Sequence, residues 1–186
     1  MRELDTIGLL ELTSVGMGYQ AQDAMLKAAN VELLVARTIC SGKYLVVVGG
    51  DVASVESSVA SGSAAAAGSV IEERVIPRVH AAVFPAISMA VDLNPDAMKA
   101  LGVIETFSVA SVIEAADAIA KAANVVLFRI HLAMALGGKG FVLFTGDIAS
   151  VEAGVAAGAE VAGREGMLVS KIAIPAPRRE LFREFI

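Results

Sequence analysis

Short apolar runs that end at glycine, serine or proline alternate along the chain with longer segments in which apolar residues recur at helical spacing. In the first half, the short runs predict β-strands at residues 6–12, 31–38, 44–48 and 70–76. The longer segments predict helices at 21–30 and from Asp51, a typical N-cap residue after two glycines, to about residue 67. The predicted order is strand, helix, strand, strand, helix, strand.

The second half of the chain repeats this pattern and much of the sequence. Lys-Ala-Ala-Asn-Val at residues 27–31 recurs at 121–125, which is 94 positions later. Gly-Asp-Val-Ala-Ser-Val-Glu at 50–56 recurs with one change at 146–152, which is 96 positions later, so two extra residues lie between Asn124 and Gly146. The repeat predicts strands at 101–107, 125–132, 141–145 and 167–174, with helices at 114–123 and 147–162.

The repeat divides the chain into two domains, residues 1–93 and 94–186. The segment 92–96 joins them, and its Asn94-Pro95 step is typical of a turn. Each domain has the order of a ferredoxin-like unit, so the predicted fold class is α/β (α+β), with two such domains in tandem and in unpermuted order. This fold by itself implies no function.

Composition limits the kinds of partner. The chain is 56% hydrophobic with a mean hydropathy of +0.69, carried by alanine and valine rather than by a run long enough to span a bilayer. So apolar a composition predicts an oligomer in which each subunit buries part of the surface of its neighbour. Without a spanning run, no association with a membrane is expected. The net charge of −5 disfavours nucleic-acid binding. Residues 1–5 show no signal-peptide pattern, and a single cysteine, Cys40, excludes an intramolecular disulfide and fits a reducing compartment.

Several motifs resemble the bacterial microcompartment shell domain. They are Lys-Ala-Ala-Asn-Val in both copies, Ser-Gly-Lys at 41–43 before Val-Val-Val-Gly-Gly-Asp-Val, and Ile-Pro-Arg-Val-His at 76–80. Two copies in one chain resemble the tandem-domain, T-type shell proteins. Within that group, Thr-Ile-Cys-Ser-Gly-Lys at 38–43 is similar to the cluster-binding segment of a shell protein from propanediol-utilising compartments.

The resemblance implies a structural protein rather than an enzyme. Three chains would form a homotrimer, a pseudohexameric tile with a central pore, in a microcompartment shell in the cytoplasm. Its partners would be other shell proteins, with enclosed redox enzymes as further candidates. The resemblance also implies that the loop between the second and third strands of each copy lines the pore: Ile39, Cys40, Ser41, Gly42 and, within residues 134–138, Ala135, Leu136, Gly137.

The same resemblance places Lys27 and Lys121 at tile edges, with Arg78 near them. The second copy has Ala176 and Arg178 where the first has Arg78 and His80, so alternate edges of a tile would differ.

Cys40 has a simple structural interpretation and a functional one. A lone cysteine is most often a small buried hydrophobe, and without a Cys-x-x-Cys motif one chain cannot ligate an iron–sulfur cluster. With the resemblance, Cys40 from each of three chains would bind three irons of a 4Fe-4S cluster, and the N–H groups of Ser41 and Gly42 could donate to its sulfurs. The cluster would pass electrons across the shell or act as a redox-sensitive plug.

Two alternatives stay open. One is a tile whose pore is open to small metabolites, with Cys40 only lining it. The other is a soluble redox regulator or enzyme with a duplicated ferredoxin-like fold, which predicts a closed pocket with converging polar groups.

Other candidate sites are weaker. Gly49-Gly50-Asp51 lacks the spacing of a phosphate-binding loop. Glu11 and Glu105 occupy equivalent positions of the two repeats, which favours a structural hydrogen-bonding role over general acid–base catalysis. His80 and His131 do not occupy matched positions, so they do not indicate a metal site, and Ser41 has no signature of a nucleophile.

Overall fold

The computed structural model describes residues 4–94 and 98–182, and the chain divides into two compact units between Ala81 and Ala82. The first unit is a four-stranded antiparallel sheet with two long helices, and its strands lie in the order β2-β3-β1-β4. Its elements are β1 (Thr6–Leu12), α1 (Val15–Ala28), β2 (Glu32–Ile39), β3 (Lys43–Gly50), α2 (Val52–Ala65) and β4 (Val70–Ile76).

The second unit repeats this architecture with the strand order β6-β7-β5-β8. Its elements are α3 (Val83–Ile87), β5 (Ala100–Thr106), α4 (Val109–Ala122), β6 (Val126–Leu132), β7 (Gly140–Gly146), α5 (Ile148–Arg164) and β8 (Leu168–Pro175), followed by a 3-10 turn at Arg179–Phe182. The predicted tandem ferredoxin-like fold is therefore confirmed.

The first helix of each unit begins earlier than the sequence predicts. Helix α1 begins at Val15 rather than residue 21, and α4 begins at Val109 rather than residue 114. The side-chain oxygen of Ser14 accepts a hydrogen bond from the Met17 N–H, and that of Ser108 accepts one from the Ser111 N–H. These serines are N-caps, and each satisfies a backbone donor that the first helical turn leaves unpaired.

The first sheet is buried on both faces near its centre. Every residue of β1 is buried, and so are residues 44–50 of β3, as the continuous apolar run of β3 predicts. On the helix side of the first sheet, Leu10, Met25, Val46 and Val59 pack in one cluster. In the second unit Met98, Leu101, Phe128 and Phe182 form a separate cluster.

The segment between the two repeats packs with the second unit, where α3 lies against β6 and reaches α4. The domain boundary that the sequence repeat predicts, between residues 93 and 94, stays a prediction. Of the predicted linker, Pro95 and Asp96 lie outside the described residues. Among the described helices, each is too short or too polar to cross a bilayer.

Candidate functional site

Cys40 lies on a very short turn between β2 and β3. Ile39 pairs with Lys43, so only Cys40, Ser41 and Gly42 connect the strands, as a 3-10 turn. Ser41 has φ 64° and ψ 27°, a left-handed conformation that costs a residue with a side chain about 1–2 kcal/mol. Ile39 is buried, Cys40 is half-buried, and a methyl group added at Gly42 would meet no atom within 4 Å. The thiol is thus held on a tight turn whose base is anchored and whose tip is open.

The equivalent turn of the second unit is longer. Ala133 N–H donates to the Lys139 carbonyl at 3.1 Å, so five residues, 134–138, replace the three of the first turn. Ile39 corresponds to Ala133, 94 positions on, and Lys43 corresponds to Lys139, 96 positions on. The two extra residues of the second copy therefore lie in this turn, and they make the two predicted pore loops unequal.

The longer turn carries a methionine where the first turn carries its cysteine. Met134 follows Ala133 as Cys40 follows Ile39, and its side chain is 45% exposed. The Met134 carbonyl lies 2.7 Å from Nε2 of His131, whose ring stacks on Phe141 with centroids 4.9 Å apart. The predicted pore residues Ala135, Leu136 and Gly137 all lie in this turn, and Ala135 and Gly137 have positive φ.

A lysine–glutamate pair lies at the base of each turn. Lys43 Nζ donates to Glu11 Oε1 at 2.7 Å, and Lys139 Nζ donates to Glu105 Oε1. Glu11 is only 5% exposed. Each pair ties the residue that ends the turn to the neighbouring central strand, so the two repeated glutamates have the structural role that their recurrence favours.

The Lys139 ammonium holds the pKa of Glu105 below its ordinary value, and a hydrogen bond from Ser170 at 3.2 Å acts in the same direction, whereas desolvation opposes both. Because the folded pKa lies below the unfolded one, the carboxylate stabilises the fold above its unfolded pKa. That contribution is lost as the pH falls through the folded pKa.

Replacing Lys139 with methionine is expected to raise the pKa of Glu105 toward its ordinary value. The difference in unfolding free energy between neutral and acidic pH should then become smaller. Carboxyl-carbon NMR titration of Glu105 measures the pKa, with Lys171→Met, an exposed strand lysine, as control. An unshifted Glu105 in the Lys139 variant would show that the pair does not govern this carboxylate.

The predicted edge lysines form matching ion pairs, although the pair of the second unit is less exposed. Lys27 Nζ lies 2.6 Å from Asp23, and Lys121 Nζ lies 2.6 Å from Asp117, each pair one helical turn apart. The Lys27 side chain is 75% exposed. Arg78 is exposed and has φ 56°, and Ala176, its equivalent, has φ 45°, so both copies bend the chain in the same way after a proline.

Metal ligation at Cys40 would need ligands from outside one chain. Within residues 4–94 and 98–182, no three His, Cys, Asp or Glu side chains gather closely enough to hold a metal ion. A thiol on an open turn, close in sequence to the N–H groups of Ser41 and Gly42, is a side chain that could contribute one ligand to a metal centre.

Two surface cavities lie at equivalent corners of the two units, where the third strand of each sheet ends. Their volumes are about 240 and 200 Å³, and neither is lined by Cys40. The first is lined by Leu4, Asn30, Val31, Glu32, Gly49 and Gly50, and the second by Asp92, Leu93, Asn94, Val126, Thr145 and Gly146.

Comparison with known proteins extends over both units. The sequence model of the BMC domain matches residues 6–79 and again 100–177. Over 181 residues the chain is 45% identical to the bacterial microcompartment shell protein PduT of Citrobacter freundii, covering 97% of each protein. Over 88 residues it is 42% identical to the bacterial microcompartment shell protein EutM of Salmonella typhimurium, covering 47% of this chain and 90% of that protein.

A solved structure gives the same result in three dimensions. The crystal structure of a microcompartments protein from Desulfitobacterium hafniense DCB is 51% identical in sequence and has a TM-score of 0.94. The match covers 97% of this chain and 99% of that one.

Proposed function

Because the chain belongs to the BMC-domain family of bacterial microcompartment shell proteins, we propose that three copies form one pseudohexagonal tile of such a shell. The duplicated fold supports this proposal, since each chain supplies two units with one topology. In the tile, the turns at 40–42 and 134–138 alternate around a central pore. The role is structural, in the shell of a microcompartment in the bacterial cytoplasm.

Cys40 then holds a 4Fe-4S cluster together with its two symmetry mates. The observation that carries this proposal is the position of the thiol on a three-residue turn that is fixed at its base and open at its tip. Three thiolates meet at the three-fold axis, and Ser41 and Gly42 orient backbone donors beside them. Bound there, the cluster supplies a one-electron carrier, or a redox-sensitive plug, in the shell wall.

The unequal turns support three-fold rather than six-fold ligation. The second unit offers a thioether, Met134, on a turn that is two residues longer, where the first offers a thiol. A thioether carries no charge and is a weaker ligand for iron than a thiolate. A cluster held by three protein thiolates would need a non-protein ligand for its fourth iron.

Neighbouring tiles meet through edges that contain Lys27 and Lys121. Other shell proteins are the partners there, and enclosed redox enzymes are candidate partners of the pore. Both lysines already pair with an aspartate of their own helix, which limits their rotamers before a neighbouring tile arrives.

The tile proposal predicts that concentrated protein forms sheets or tubes, and replacing Lys27 with aspartate is expected to abolish them while the trimer survives. The change places two carboxylates one helical turn apart, at a cost of only about 0.5 kcal/mol within the helix, but it reverses the charge at the edge. Electron microscopy and sizing chromatography measure the two effects.

The matched control is Lys171→Asp. Lys171 is exposed and stands at the position that Glu73 occupies in the first unit, so an acidic residue fits there. Sheets that persist in the Lys27 variant would remove this residue from the tile edge. A soluble redox enzyme predicts no sheets for any of the three proteins.

A further inference from the structure

The two strands that flank the Cys40 turn are held to different degrees. Strand β2 lies at the edge of the first sheet, and Ile39, its last residue, is the one buried residue along it. Strand β3 lies between β2 and β1 and is buried from Tyr44 to its end. The position of the turn is therefore fixed mainly from the β3 side.

Tyr44, the second residue after the turn, packs into a notch on α1 that a glycine leaves open. Tyr44 is 3% exposed, and a Cβ added at Gly18 would lie 2.4 Å from its Cγ and Cδ1 atoms. The Tyr44 hydroxyl donates a hydrogen bond to Oε1 of Gln22 at 3.0 Å, and the Tyr19 ring lies beside the Tyr44 ring with centroids 5.1 Å apart. Helix α1 thus holds the Tyr44 side chain both at its root and at its hydroxyl.

The second unit fills the equivalent space in the opposite way. Gly18 corresponds to Val112, 94 positions on, and Tyr44 corresponds to Gly140, 96 positions on. A Cβ added at Gly140 would lie 2.6 Å from Cγ1 of Val112, so here the helix supplies the side chain and the strand supplies the glycine. Both units close the gap between helix and strand, but of the two turns it is the one with the thiol that is followed by a ring anchored on the helix.

We propose that Tyr44 is a positioning residue for Cys40. The lysine–glutamate pair recurs at both turns and therefore serves the shared fold, whereas the anchored ring occurs at the thiol-bearing turn. Ser41 holds a left-handed conformation, and a strained turn of this kind persists where the surrounding structure fixes it. A ligand of a shared cluster must stay within about 0.5 Å of its place. The inference rests on the proposed function, in which three Cys40 thiolates meet, and Tyr44 acts there through the backbone of β3 rather than as a ligand.

The test replaces this anchor with the pair that the second unit uses. Gly18→Val combined with Tyr44→Gly, the exchange variant, keeps a side chain between helix and strand but takes it from the helix. Its anaerobically purified trimer is expected to lose most of its iron, and any cluster that remains should give an altered electron paramagnetic resonance spectrum in the reduced state. Tyr44→Leu, a single change that keeps an apolar side chain, should give the same losses in smaller measure. Tyr44→Phe, which keeps the ring and loses the hydroxyl, should retain the iron content and the spectrum of the wild type.

The rate at which Cys40 reacts with a maleimide, in protein freed of iron, gives a second readout that needs no cluster. The exchange variant is expected to react several-fold faster than wild type, because a loosened turn exposes the half-buried thiol more often. The matched control is Val112→Ala, which loosens the corresponding contact of the second unit, where the turn carries no thiol. It should keep the wild-type iron content and thiol rate even where thermal unfolding shows lost stability.

These measurements separate the role of Tyr44 from the cluster itself. A wild-type trimer that holds no iron would overturn the cluster proposal, and the thiol rates would still decide whether Tyr44 fixes the turn. An exchange variant whose thiol reacts at the wild-type rate would overturn the positioning role, whatever its iron content. A thiol rate in Val112→Ala as fast as in the exchange variant would do the same, since a general loss of stability would then explain both.

Discussion

Replacing Cys40 with serine is expected to remove the iron and the visible absorbance of anaerobically purified protein while leaving the trimer intact. A serine hydroxyl stays protonated near neutral pH and is a poor ligand for an iron–sulfur cluster, so the three ligands are lost together. The replacement changes little else, because the side chain is half-buried and of similar size, and the turn conformation depends on Ser41 and Gly42. Iron analysis, absorbance and light scattering measure the three quantities.

Met134→Leu is the matched control for this prediction, since Met134 occupies the equivalent place in the second turn. It should keep full iron content, because the thioether takes no part in three-fold ligation. Equal iron in wild type and the Cys40 variant would exclude this residue as the ligand. A wild-type trimer that holds no iron would favour the tile with an open pore.

Replacing Gly102 with alanine is expected to lower the free energy of unfolding by about 3 kcal/mol, at the upper end for an overpacked core. A Cβ at this position would lie 2.3, 2.4 and 2.7 Å from ring atoms of Phe144, which is fully buried. The ring cannot retreat easily, because it also lies close to Gly154 on α5, where a Cβ would be 2.9 Å away. Chemical denaturation measures the change.

Two further variants show whether the cause is this contact. Gly163→Ala, near the end of α5 with no atom within 4 Å of an added Cβ, should be stabilising by up to about 1 kcal/mol. Combining Gly102→Ala with Phe144→Val, which introduces the residue that faces Gly8 in the first unit, should cost less than the sum of the single changes. Additive costs would show that the ring is not what excludes the methyl group.

Strand positions followed from the sequence because buried runs and turn residues are local signals. The starts of α1 and α4 did not, because Ser14-Val-Gly16 has the composition of a turn, and only the Ser14 hydrogen bond shows that it opens a helix. Helix α3 was also missed, since a five-residue segment with a proline has little intrinsic helical preference and is held by its burial on β6.

In the candidate site, too, some features could be predicted from the sequence and others required the structure. The repeat offset showed that two extra residues existed, but the strand pairing was needed to place them in the second turn. The pairs Lys43–Glu11 and Lys139–Glu105 were missed, although lysine and glutamate both recur. Each lysine reaches its glutamate because their two strands are neighbours in the sheet. The recurrence of both residues in the sequence does not by itself show which strands are neighbours. The placement of Cys40 at a three-fold axis came from family resemblance and stays a prediction.

The most direct test of the proposed site combines mass with iron and acid-labile sulfide content in one anaerobic preparation. The account predicts a particle of three chains that contains about four iron and four sulfide per particle. A single-chain particle, or a trimer with iron and sulfide at background level, would contradict the claim that three Cys40 thiolates meet and bind a cluster.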